Sequence, residues 1–206
     1  MVAELFAVLI TGALHLVFEN VFDAKAVFLV LAAAFWTCWI ALRVRRRPAL
    51  LREWGLGLDI PARAWRDATA FGLLALAVLA TIGAARGSLR LTPHMLPLLA
   101  FYPVWGLLQQ FLVQALVARN LQSRFAMLAA PARTTIATAL LFGAAHLPDL
   151  ALAPLTVGLL LGFTPLYLRD RRLLPLGLIH GWLGVAAYYW VLDRDPWLEL
   201  RAQIGF

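Results

Sequence analysis

Five side chains in this sequence carry chemistry into otherwise apolar stretches: Gln109, Gln110, Gln114, His146 and His180. The three amides lie in Trp105–Asn120, WGLLQQFLVQALVARN, a hydrophobic run long enough to cross a bilayer. An unpaired amide in hydrocarbon costs several kcal/mol, so polar partners must face them. The two downstream histidines are the candidates. An imidazole with its usual pKa near 6.5 serves as a base near neutral pH. It is also a common metal ligand, but two histidines and an amide make a thin set, so a divalent metal stays one alternative. Ionisable groups at membrane depth mark functional sites by default. The same residue types also act as hydrogen-bonding glue between helices, worth about 0.6 kcal/mol per pair. Trp105 and Trp182 lie at similar depth and are candidate cavity walls.

The elements that position these groups are membrane helices. Of the 206 residues, 63% are hydrophobic and 14% charged, with mean hydropathy +0.80. A soluble domain carries about 25% charged residues. Long apolar runs bounded by arginines give an all-α, polytopic membrane protein, and the alternating ten-residue segments of a β-barrel are missing. We read seven apolar segments, 2–18, 26–42, 67–85, 94–118, 134–147, 150–168 and 173–192, within one membrane domain spanning 1–206. Residues 1–90 form the N-terminal spans and a loop; 95–192 form the core. Segment 134–147 is about 21 Å long against a hydrocarbon core of about 30 Å. Its helix therefore starts in the preceding loop, or the HLPDLALAP link, with Pro148 and Pro154, dips into the membrane.

Gln109, His180 and His146 lie ten, eight and thirteen residues from Arg119, Arg172 and Arg133, so all three reach similar depth. Gln110 and Gln114 share a helix face at i, i+4, and Gln109 lies about 100° away. Gly181 and Gly184 beside His180 allow close approach of a neighbouring helix or a substrate.

Charge sets the orientation. The net charge is +7, but the positive residues flank apolar spans, which argues against nucleic acid as a partner. Thirteen of the 18 basic residues fall in the loops 43–66, 119–133 and 169–172, on the same side as the N-terminus. The other five are Lys25, Arg86, Arg90, Arg194 and Arg201. The expectation is an integral protein of a bacterial inner membrane with a cytoplasmic N-terminus, retained as a first span because a basic n-region is missing. The 43–66 loop, with Trp54 and Trp65 beside arginines, reads as an interfacial helical piece or an ordinary polar loop. His15 and Glu19 at i, i+4 read as an interfacial pair, and His94 after Pro93 as interfacial too. The single Cys38 excludes an internal disulfide and reads as a small buried hydrophobe.

The order and wording of Gln109–Leu121, Leu140–Pro148 and Leu174–Gly184 resemble the CPBP (Abi) family of CAAX-protease and bacteriocin-processing intramembrane endopeptidases. QQFLVQ stands where that family has EExxxR, FGAAH (Phe142–His146) matches FxxxH, and HGWLG (His180–Gly184) matches HxxxN in its histidine. The resemblance implies a helical bundle whose cavity opens to the cytoplasm and processes membrane-anchored peptides. His146 would orient water and His180 would donate to the oxyanion. Gln114, Phe142 and Gly184 would line the substrate site with Trp105 and Trp182. At the decisive place the sequence departs: Gln109 and Gln110 replace both glutamates, Gln114 the arginine and Gly184 the asparagine. Glutamine cannot take a proton from water near neutral pH. The implied function is an endopeptidase acting on a membrane-anchored peptide, or a degenerate homologue that binds such a peptide or a lipid. Base chemistry would have to come from His146, from a displaced carboxylate such as Glu19 or Asp149, or from a metal.

Overall fold

The computed structural model describes residues 2–22, 24–147 and 149–203. Pro148 and the side chain of Lys25, both used above, lie outside the described residues. Every regular element among the described residues is helical. In chain order these are α1 (Val2–Asn20), α2 (Lys25–Arg46), the single turn α3 (Leu50–Glu53), α4 (Ala62–Arg86), α5 (Met95–Arg124), α6 (Pro131–Ala144), α7 (Leu152–Asp170), α8 (Leu174–Ala186) and α9 (Pro196–Gln203). Helices α1, α2, α4, α5 and α7 are long and apolar enough to span a membrane. The two remaining apolar segments form shorter helices. α6 has 14 residues, and α8 has 13 before it widens into π-type turns over Ala187–Val191. The protein is thus an all-α, polytopic integral membrane protein. Its membrane segments match the seven apolar stretches, five at full length.

Helix boundaries follow local chemistry. Pro131 and Pro175 sit in the first turns of α6 and α8, where the missing N–H costs nothing. Gly87 ends α4 at φ 70, and the Ser88 N–H closes back on the Gly83 carbonyl at 2.9 Å. α6 does begin in the preceding loop, three residues before the apolar run, yet it stays short of a full span. The Asp149 carboxylate accepts the N–H groups of Ala151 and Leu152 at 3.0 and 2.9 Å and so starts α7.

The 43–66 loop does more than rest on the surface. Trp54 is only 2% exposed, stacks on Trp39 and meets Phe111 edge-on, so it belongs to the core and not to an interfacial anchor. Gly55 (φ 84) follows it. Its carbonyl accepts the Leu173 N–H at 2.9 Å, and a Cβ there would lie 2.6 Å from the Arg171 carbonyl oxygen. The loop is thereby docked under the α7–α8 turn. Cys38 is exposed on α2, contrary to the buried position expected of a small hydrophobe.

Ion pairs divide the molecule into two polar ends. At one end Arg43 pairs with Glu4, Arg63 with Asp170, Arg169 with Asp67 and Arg119 with Glu53. At the other, Arg90 pairs with Asp193, His94 with Asp195 and Arg194 with Glu199 and Asp149. The grouping of basic residues read from the sequence is reproduced, with the start of α1 at the arginine-rich end. His94 is a tie between α5 and the α8–α9 link: its Nδ1 lies 2.8 Å from Asp195, whose other oxygen accepts the Tyr189 hydroxyl at 2.7 Å. Burial works against the Asp195 carboxylate, but the Tyr189 and His94 contacts hold its pKa below the ordinary range.

The centre of the bundle is the α5–α8 crossing. Gly106, Gly177 and Gly181 bring the two backbones together: a Cβ on Gly106 would lie 2.5 Å from the Gly177 oxygen, and one on Gly181 2.5 Å from Pro103 Cα. Gly184 is different, since a Cβ there would meet only the Tyr102 ring at 3.5 Å. The α1–α2 hairpin stands apart. It packs on the bundle through the inner part of α5 and on α3, and among the described residues α2 makes no extended contact with α4.

Candidate functional site

Three of the five polar groups meet at the α5–α8 crossing. Gln110 and Gln114 are fully buried, and His180 is 8% exposed. The Gln110 Nε2 lies 2.9 Å from His180 Nδ1. Gln114 Nε2 donates to Gln110 Oε1 at 3.2 Å and to the Thr164 hydroxyl on α7 at 3.1 Å. With Gln110 Oε1 occupied as an acceptor, its amide N–H donates to His180 Nδ1. His180 is then neutral with its proton on Nε2. The expected i, i+4 pairing of Gln110 and Gln114 is present, and Gln109, one position round, instead lines the cavity half-buried. Thr164 completes the network and was not among the residues singled out in the sequence. Its place on α7, six residues before Asp170, gave no motif signal. Thr164→Val removes one acceptor and leaves a buried amide N–H unpaired. We expect a loss of about 1 kcal/mol in detergent-solubilised unfolding, with a fold otherwise intact.

From Phe111 to Ala118, α5 runs as a π-helix, with the Arg119 N–H bonded to the Gln114 carbonyl five residues back. All eight residues of this segment are buried. The wider turn feeds Leu112 and Val113 to the core and supports α1 from below.

His146 completes the site from the other side. It lies in the turn just after α6, and its Nδ1 is 2.7 Å from the Phe142 carbonyl oxygen. An acceptor of that kind places the proton on Nδ1 and makes Nε2 the lone-pair nitrogen. The two imidazoles are thus held in complementary tautomers. Both meet the Phe142 ring edge-on, with centroids 4.6 Å from His146 and 5.8 Å from His180. Thr138, one turn before Phe142 on the same face, is fully buried and its hydroxyl has no protein partner.

A cavity of about 1120 Å³ lies between the α1–α2 hairpin and the core. Gln109, His146, His180, Trp105, Phe142 and Gly184 all line it. Gln114 does not reach it, being closed into the amide network, and neither does Gln110. Trp182 does not line it either: its ring is 46% exposed on the outside, and its indole N–H donates to the Leu99 carbonyl at 3.1 Å. Glu19 and Asp149, the displaced carboxylates considered above, lie on the cavity wall. Glu19 is 3.2 Å from His15, and Asp149 is engaged by the start of α7 and by Arg194. Neither makes a hydrogen bond to Gln109 or His180 in the network just described. Among the described residues no group of three or more His, Cys, Asp or Glu could hold a metal ion. His180 Nδ1 is committed to an amide, so Nε2 is the nitrogen that it turns to the cavity.

Compared with known families, residues 91–185 match the model for type II CAAX prenyl endopeptidase Rce1-like proteins. That is the CAAX-protease type that the three motifs resemble, and the matched segment runs from the start of α5 through His180. Curated proteins and solved structures gave no match.

Proposed function

We propose, on the premise that residues 91–185 form an Rce1-like region, that this chain binds a membrane-anchored peptide in the cavity beside His180 and His146. The observation that supports this best is the hydrogen bond between Gln110 and His180 at 2.9 Å within a neutral, buried network. It turns the His180 Nε2–H into a fixed donor, suited to a peptide carbonyl. The base that would drive rapid hydrolysis is replaced by an amide at Gln109, the one motif glutamine that lines the cavity. Binding with little turnover is the function this chemistry favours.

A second reading, an endopeptidase using His146 itself, draws on that residue's tautomer. The bond to Phe142 leaves Nε2 as the basic nitrogen. Water activated there would add to a carbonyl polarised by His180.

The test measures binding of a palmitoylated tripeptide to the purified full chain. His180→Ala is expected to weaken binding about tenfold, the equivalent of roughly one hydrogen bond. Unchanged affinity would defeat the assignment of His180 as the carbonyl donor. Robust turnover by the natural sequence, abolished by His146→Ala, would establish the second reading in place of the first.

A further inference from the structure

We infer that the docked turn at Glu53–Gly55 and the arginine-rich ends of α5 and α7 build a site for a phosphate group, with Arg171 and Arg119 as its cations. None of these residues lines the cavity or joins the network at His180, so the site stands apart from the function proposed above.

Arg171 is held from three directions. It follows the last residue of α7 at φ 51 and ψ 47. In that left-handed conformation the Cβ of an L-residue is crowded, and glycine or asparagine is the usual choice. The backbone there has no room to relax. The Leu173 N–H donates to the Gly55 carbonyl at 2.9 Å, and a Cβ on Gly55 would lie 2.6 Å from the Arg171 oxygen. The guanidinium lies 5.3 Å over the Tyr167 ring and donates to Gln122 Oε1 at 2.8 Å. Tyr167 is itself fully buried and donates its hydroxyl to the Trp54 carbonyl at 3.4 Å. Backbone, ring and amide together fix one guanidinium in place.

This fixed charge lacks a carboxylate. At the same end Arg43, Arg63, Arg66 and Arg169 each pair with a Glu or Asp. Among the described residues none pairs with Arg171, whose side-chain partner is the neutral Gln122. Arg119 lies three residues before Gln122 and shares its helix face. It must share the Glu53 carboxylate, at 3.6 Å, with Arg47. Arg172 reaches the fully exposed Asp59 only at 3.8 Å, and its Nε–H is buried without a hydrogen-bond partner. Positive charge is thus in excess around a turn that the fold has made rigid.

A guanidinium fork presents paired N–H donors that match two oxygens of one phosphate. The site also lies where α5 and α7 end, the level at which lipid headgroups meet a spanning helix. The phosphate can be carried by a phospholipid or be free in solution, and the two sources are separated by experiment.

Thermal unfolding of the purified full chain in neutral detergent is followed with three additives. These are dioleoyl phosphatidylglycerol, dioleoylglycerol (the same chains without phosphate) and inorganic phosphate. Phosphatidylglycerol should raise the Tm and dioleoylglycerol should not. Arg171→Gly removes the guanidinium and suits φ 51 better than arginine. Its Tm without additive should therefore equal or exceed that of the natural chain, while its affinity for phosphatidylglycerol should fall about ten- to a hundredfold. Arg45→Gln removes an equal charge from the exposed end of α2 and should leave that affinity unchanged. A rise with the lipid alone would assign the site to a headgroup. An equal rise with inorganic phosphate, lost in Arg171→Gly, would assign it to a soluble phosphate. An equal rise with dioleoylglycerol, no rise with either phosphate compound, or the same loss in Arg45→Gln as in Arg171→Gly would overturn the site.

Discussion

Gly106→Ala is expected to destabilise the bundle by about 2 kcal/mol in detergent-solubilised unfolding and to weaken ligand binding beside His180 by up to the roughly tenfold expected of His180→Ala. The added Cβ would lie 2.5 Å from the Gly177 carbonyl oxygen and 2.7 Å from the Gly181 nitrogen. Both neighbours are backbone and cannot swing away, so α5 and α8 must separate. Overpacking of this kind costs about 1–3 kcal/mol, and its upper range applies where no side chain can yield. Better helix propensity of alanine returns about 1 kcal/mol. Separation of a few tenths of an ångström falls directly on the 2.9 Å bond from Gln110 to His180, which spans the same crossing. Gly158→Ala is the control. Its Cβ meets nothing within 4 Å, and the variant should be as stable as the natural chain or slightly more so. Equal behaviour of the two variants would show that the crossing is looser than its geometry indicates.

The second large effect concerns the amides. Gln109→Glu should raise peptide hydrolysis by about 10²–10⁴-fold, the usual contribution of a positioned base. Gln109 lines the cavity half-buried, so a carboxylate there keeps access to water. Gln110→Glu should behave in the opposite way. That position is fully buried and supplies the N–H held by His180 Nδ1. A carboxylate would remove the donor and place a charge where desolvation costs several kcal/mol. Its expected outcome is poor folded yield without activity. Cleavage of the palmitoylated tripeptide, followed by mass spectrometry, separates the two. The gain should vanish when His146→Ala is added to Gln109→Glu. Activity appearing with Gln110→Glu and not with Gln109→Glu would reverse the roles assigned to the two neighbours.

Much of this was legible in the sequence because apolar periodicity and arginine placement are one-dimensional signals. The spans, the two polar ends and the shared face of Gln110 and Gln114 depend on spacing alone. The meeting of His146 with His180 followed from their equal depth and from motif order. What escaped depends on the third dimension. Trp54 beside Arg52 looks like an interfacial residue, and only the docking of Gly55 under the α7–α8 turn carries it into the core. Trp182 neighbours the histidine in sequence, but a helix turns it about 200° from His180, toward the outside. The π-type stretch at Phe111–Ala118 has no residue signature of its own. Thr164 became a partner only because α7 packs beside α5.

The amide chain from Gln114 through Gln110 to His180 has a direction. Each member donates toward the next, and the last N–H is the one His180 presents to the cavity. The bond dipoles therefore align head to tail and strengthen one another in a medium of low dielectric. The cavity floor feels a partial positive charge without containing an ion. Such a floor attracts the oxygen end of a carbonyl or carboxylate and repels an ammonium group. Because no member of the chain ionises to create this field, the preference should hold across the neutral pH range, whereas the charge of a glutamate-based floor would depend on its proton.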